Sequence, residues 1–189
     1  MGLKLITPPA AEPVLLADAK LHLRVDGTDE DTLIAALIQA AREACEHETG
    51  RALITQTWEL VLDAFPDGIR LPYAPVQSIA SVKYLDTDGV LQTLSAPSYQ
   101  LDNHIEPAWL TPAYGYAWPA TREEPNAVRV QYVAGFGAAG TDVPEVLRAW
   151  MLLQIGHWYA NREAAGDARM EKTPYVDRLL DRYRVYGVC

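Results

Sequence analysis

Apolar side chains recur at three- and four-residue spacing in two long segments, Thr28–Thr49 and Val143–Ala164. In the first, Leu33, Ile34, Leu37, Ile38, Ala41, Ala44 and Cys45 fall on one helical face. Thr28 suits the N-cap, and Asp29, Glu30 and Asp31 place negative charge where the helix dipole favours it. Gly50 suits the left-handed position after the last turn. The second segment has a wider stripe of Val146, Leu147, Trp150, Met151, Ile155, Trp158 and Tyr159. Asp142 or Thr141 is its expected cap, with Pro144 in the first turn. Neither stripe is well placed to be covered by its own sequence neighbours, so the two helices are predicted to pack on each other.

Between them the period drops towards two. Thr55–Leu62 alternates in part, Ser78–Leu85 alternates clearly, and Asp88-Gly89 is a hairpin turn from which Val90–Leu94 returns. Gly68–Leu71, Tyr99–Leu101, Trp109–Thr111 and Ala127–Ala134 are further strand candidates. Within Glu106–Pro125, Pro107, Pro112, Pro119 and Pro125 alternate with Trp109, Tyr114, Tyr116 and Trp118, which predicts a long irregular loop. Before the first long helix, Pro8, Pro9 and Pro13 keep residues 1–14 extended, and Leu16–Arg24 forms a short helix ended at Asp26-Gly27. After the second, Glu163–Lys172 is a polar linker. Thr173-Pro174 then opens a last amphipathic helix bearing Val176, Leu179, Leu180 and Tyr183 on one face.

The expected fold is therefore α+β: mainly a helical bundle, two long helices plus short N- and C-terminal helices, with an inserted antiparallel β region. Its parts are residues 1–51 (N-terminal helical part), 52–135 (β-rich insertion with the aromatic loop), 141–165 (second long helix) and 173–186 (C-terminal docking helix).

Charge narrows the function classes. The net charge is −9, and residues 1–65 carry 11 acidic and 5 basic groups, residues 66–140 carry 7 and 4, and residues 141–189 carry 7 and 7. A chain without a basic stripe is a poor nucleic-acid binder, because phosphate affinity comes from Lys and Arg. It still suits a surface that DNA must pass without sticking. Cys45 and Cys189 form no disulfide framework, and a reduced intracellular setting is expected. No signal peptide is expected at the amino end, and the apolar run around Gln154, Gly156 and His157 is too short to span a bilayer.

Candidate chemistry is sparse. Gly135-Phe-Gly-Ala-Ala-Gly140 fits the dinucleotide pattern and lies between a strand and a helix, but no second strand follows to complete a βαβ unit. Asp142 also stands where a pyrophosphate would sit, so a flexible β-to-helix connection is expected instead. Asp26–Asp31 lacks calcium-loop spacing, and Asp86–Gly89 reads as a turn. His22, His47, His104 and His157 have no partner at zinc-ligand spacing. No catalytic, cofactor or metal residue is assigned. Trp109, Tyr114, Tyr116 and Trp118 are candidates for an interface or for packing under the sheet. A ligand-binding module built on their stacking faces is the alternative function.

Three stretches carry a family resemblance: Leu16-Ala-Asp-Ala-Lys-Leu-His-Leu-Arg-Val-Asp26, Asp29-Glu-Asp-Thr-Leu-Ile-Ala-Ala-Leu-Ile-Gln-Ala-Ala-Arg-Glu43, and Thr49-Gly-Arg-Ala-Leu-Ile-Thr-Gln-Thr-Trp58. With Val143–Glu163 and Val176–Arg184, they resemble the head–tail connector proteins of long-tailed double-stranded DNA phages and prophages, also called adaptor or head-completion proteins. Thr49-Gly-Arg-Ala-Leu followed by Gln56-Thr57 is the most specific combination. The resemblance implies no catalysis and no cofactor. It implies a ring of roughly a dozen copies, joined head to tail about one axis. The ring would sit beneath the portal protein in the virion neck, carry the next neck or tail-completion component, and let DNA through without reading its sequence. Assembly would take place in the bacterial host cytoplasm, with no membrane partner. In related adaptors the C-terminal helix engages the portal, which makes Tyr175, Val176, Leu179, Leu180, Tyr183 and Arg184 the contact candidates here.

Overall fold

The computed structural model describes residues 1–161 and 174–186. In chain order the elements are β1 (Gly2–Thr7), α1 (Leu16–Leu23), α2 (Asp31–Thr49), β2 (Gln56–Leu62), β3 (Ile69–Leu71), β4 (Val76–Leu85), β5 (Leu91–Thr93), β6 (Tyr99–Asp102), β7 (Ala108–Pro112), β8 (Val128–Ala134), α3 (Glu145–Ala160) and α4 (Pro174–Asp177). Short 3₁₀ turns cover Ala96–Ser98, Gly140–Asp142 and Arg178–Tyr183.

The predicted pairing of the long helices is present. Ile34, Ile38, Ala41 and Cys45 of α2 share one buried cluster with Leu147, Trp150, Met151 and Ile155 of α3, and α1 adds Ala19. Each large aliphatic buried there stabilises the fold by about 1.5–3 kcal/mol. Gly50 caps α2 in the left-handed conformation, φ 67°. The amino ends differ from expectation. α2 starts at Asp31, with Thr28 supplying only a backbone carbonyl to the Asp31 amide, and its N-cap Glu30 makes no side-chain capping bond. Asp142 caps a different element: its carboxylate accepts from the Ala139 amide at 2.9 Å and closes the 3₁₀ turn, so α3 begins after Pro144. The expected end of that helix near Ala164, the linker Glu163–Lys172, Thr173 and Cys189 lie outside the described residues.

The β part is larger than an insertion into a helical bundle. Helix makes up 33% and strand 28% of the described residues, and the strands form two antiparallel sheets, so "mainly helical bundle" is corrected to α+β with two comparable parts. The larger sheet has the order β1-β2-β8-β4-β5 and the smaller β3-β7-β6. β8 arrives last in sequence and inserts at the centre, paired with β2 through Gln56↔Ala134 to Leu62↔Val128 and with β4 on its other edge. Its alternation is complete: Val128, Val130, Tyr132 and Ala134 are buried. They meet Ile69, Leu71, Ala108 and Leu110 of the small sheet in a second core. The extended amino-terminal residues are not free either, since β1 pairs with β2 from Gly2↔Val61 to Thr7↔Thr57.

The glycine-rich connection is a tight joint rather than a flexible one. Gly135 has φ 136°, and a Cβ there would lie 2.6 Å from the Ile54 carbonyl carbon. A Cβ on Gly137 would meet the Asp142 carboxylate at 2.2 Å. Backbone bonds Gly135 N to Pro75 O, Phe136 N to Leu53 O and Thr55 N to Gly137 O sew it to both layers. The space a dinucleotide would need is filled by the chain itself.

Candidate assembly interface

The residues of the Thr49–Thr57 motif tie the helical layer, the sheet and the C-terminal segment together. Thr49 Oγ1 donates to Cys45 O at 2.6 Å, which closes the last turn of α2. Arg51 follows the capping glycine and is 7% exposed. Its Nε donates to Tyr183 O at 2.6 Å, Nη1 donates to Glu106 Oε1 at 2.8 Å, and Nη2 donates to the other Glu106 oxygen. The guanidinium also lies 5.8 Å and 5.9 Å from the ring centres of Phe136 and Tyr183. One side chain thus holds the β6–β7 connection and the C-terminal segment against the end of α2.

One turn earlier, Glu46 is buried under the same corner. Its Oε1 accepts from Leu53 N at 2.9 Å and Gln56 Nε2 at 2.7 Å, and its Oε2 accepts from Arg42 Nη1 at 2.9 Å. Burial raises the Glu46 carboxyl above its ordinary range, against the opposing pull of these donors. Burial alone would lower the Arg42 pKa, but the Glu46 and Glu12 carboxylates raise it. Arg42 Nε reaches Glu12 at 2.9 Å, which fixes the amino-terminal strap to the same point. A buried pair with these further bonds fixes register between layers. The apolar periodicity of α2 does not reveal this pair. Its signal lies in the charges instead, because Arg42 and Glu46 are opposite in sign at i, i+4 beside Ala41 and Cys45. Burial pushes the Cys45 thiol up to about 12, so it behaves as an inert apolar group.

The C-terminal segment folds back on its own chain. Val176, Leu179, Leu180 and Tyr183 all join the helical core, and Leu180 is fully buried. Val185 N donates to Thr49 O at 2.8 Å, and Arg184 pairs with Glu48 at 3.0 Å and Asp181 at 3.5 Å. Tyr175 contributes backbone to α4. Among the six contact candidates the structure thus gathers five side chains at one corner, with Leu180 turned inward and Arg184 towards the rim. Tyr186, not singled out from sequence, is 75% exposed beside them.

The four aromatics of the expected loop do not converge. Trp109 stands in β7, with Arg70 5.4 Å from its ring centre. Trp118 stacks on Phe65 at 4.7 Å in the β core. Tyr114 and Tyr116 project into solvent around Gly115, at 101% and 55% exposure. Packing therefore accounts for two and leaves two as free surface. Among the described residues no group of three or more His, Cys, Asp or Glu is placed to hold a metal, and no helix is long and apolar enough to cross a membrane.

Comparisons with known proteins agree with this architecture. Residues 14–89 match the family model described as phage gp6-like head-tail connector protein. No curated protein matches the sequence. Among solved structures, a chain in the neck of an empty gene transfer agent (GTA) particle, computed with C6 symmetry, superposes with TM-score 0.82 at 26% identity, covering 100% of this chain and 98% of that one. Chains in the virion of the native GTA particle and in the native neck computed with C12 symmetry give TM-scores of 0.81 and 0.80 at the same identity and coverage. Over residues 14–89 the chain is thus similar to the phage gp6-like head-tail connector family, and over its whole length it shares its fold with chains of the GTA neck and virion.

Proposed function

We propose that this protein is an adaptor subunit of a phage-type neck. Roughly a dozen copies form a closed head-to-tail ring beneath the portal protein, hold the next neck component on the far side, and let DNA through the lumen. The observation that carries this reading is the whole-length likeness to a subunit of a GTA neck computed with C12 symmetry. The acidic balance supports the lumen role, since DNA is not retained by a surface without a basic stripe. The work is mechanical and electrostatic, with no catalytic step. In this reading the protein belongs to the virion neck and assembles in the host cytoplasm.

The C-terminal segment is the portal-facing element. Arg184, Tyr183 and the half-buried Val176 and Leu179 surround the buried anchor Leu180, so the core itself positions the surface offered to the portal. Size-exclusion chromatography with light scattering, on the protein alone and with its cognate portal, tests the proposal. A ring, or a shift to a large complex with the portal, is expected. A monomer indifferent to the portal refutes it. Arg184→Ala removes the solvent-facing ion pairs with Glu48 and Asp181 and one exposed hydrogen bond to the Glu48 carbonyl, the ion pairs costing about 0–1 kcal/mol. A folded Arg184→Ala protein that binds the portal as tightly as the parent therefore removes Arg184 from the contact.

A further inference from the structure

We infer that the free edge of β1 pairs with the free edge of β6 of the next copy, so that backbone hydrogen bonds join subunits around the ring. This rests on the ring reading above. Among the described residues β1 bonds only to β2, and its other edge is the end of the sheet. All six of its residues are exposed, including Leu3 at 37%, Leu5 at 38% and Ile6 at 40%. An exposed edge that carries Leu3, Leu5 and Ile6 and no proline is a template for another strand. The register shift between Leu5 and Thr7 leaves Gly2–Leu5 as the regular part, which matches the 4-residue length of β6.

The twist of the large sheet decides against β5 as the partner. β5 lies four strands from β1. At about 20–25° per strand, the two directions differ by roughly 80–100°, about a quarter of a full turn. Continuing the sheet from β5 to the next β1 requires a rotation of at least that size between copies. The C12 symmetry of the related neck turns each neighbour by only a twelfth of a full turn, and C6 symmetry by a sixth. Both fall short of a quarter. β6 ends the other sheet, so the twist of the first places no such demand on it. At the far end of that sheet, β3 offers only three residues, with Ile69 and Leu71 buried. The chemistry of the β1 and β6 edges also fits. Lys4 is the one charged side chain of β1 and Asp102 the one of β6. Leu3 and Leu5 would be covered near Leu101 and the 51% exposed Ile105. Two different edges make a heterologous contact, which is the kind that closes a ring.

The test is a cysteine pair, Lys4→Cys with Asp102→Cys, the two positions that the proposed pairing puts on one face of the joined strands, in a Cys189→Ser background where Cys45 is buried and inert. The sample is the ring itself, formed by the protein alone or on its portal. Mild oxidation of that ring is expected to give a ladder of covalent oligomers on a non-reducing gel, absent from either single-cysteine protein. A ring that gives no ladder overturns the inference. Separately, Leu3→Lys with Leu5→Lys is expected to abolish ring formation while leaving the urea midpoint of the subunit unchanged. A ring that still forms from this variant overturns the inference and leaves the ring reading standing. Failure of the parent protein to form a ring under either condition removes both.

Discussion

Arg51→Met isolates what the corner at the end of α2 contributes. Methionine keeps most of the buried stem and removes the guanidinium. Three interactions go with it. The charged hydrogen bond to the Tyr183 carbonyl, at 2.6 Å from a residue 7% exposed, accounts for about 1.5–3 kcal/mol. The pairing with Glu106 is discounted to about 0–1 kcal/mol, because solvent screens the Glu106 side chain and can rehydrate it. The ring contacts at 5.8 and 5.9 Å sit at the outer limit and add about 0.5 kcal/mol. The expected loss is roughly 2–4 kcal/mol. With a urea slope of about 2 kcal/mol/M, the unfolding midpoint falls by about 1–2 M. If the C-terminal segment undocks as a separate unit, the loss appears instead as faster amide exchange at Val185, whose N–H donates to Thr49 O. Urea unfolding followed by tryptophan fluorescence and exchange at Val185 together cover both routes. An unchanged midpoint together with unchanged Val185 protection refutes the assignment of Arg51 as the clasp.

Two further substitutions probe the joint between the layers. Gly135→Ala places a Cβ 2.6 Å from the Ile54 carbonyl carbon at φ 136°, and an expected loss of about 2–4 kcal/mol should show as a lowered midpoint in thermal or urea unfolding; a neutral result shows that the strand-to-helix joint has room to move. For Glu46, burial raises the folded-state pKa above the ordinary 4.5, so the stability linked to its protonation is fully present below that value and lost as pH rises through the folded pKa. Glu46→Gln deletes this titration, so urea midpoints measured from pH 4.5 upward should show the parent falling relative to the variant; a difference independent of pH contradicts the stated cause.

The sequence by itself determined the two long helices, their mutual packing and most strand positions. These are encoded locally: Ile34, Ile38, Ala41 and Cys45 repeat at helical spacing, and Val128 to Ala134 alternate, because a helix or strand with one buried face must place its apolar residues at that period. The recognised motif at Thr49–Thr57 was also legible, although the reason for it was not. Why Arg51 follows the capping glycine becomes visible only when Tyr183, 132 residues later, arrives beside it.

What only the tertiary structure decided is which strands are neighbours and which surfaces remain free. β1 joins a sheet whose central strand is its last in sequence, and no local period states that order. Trp109 and Trp118 were drawn into packing on the β part while Tyr114 and Tyr116 were left outside, although all four sit in one proline-rich stretch with the same composition. Likewise Leu180 shows the same pattern as a docking residue and is buried in the chain's own core. Amphipathic spacing marks a side chain that needs cover. Whether the cover is the same chain or the next one is set by where distant segments meet, which is a property of the folded whole.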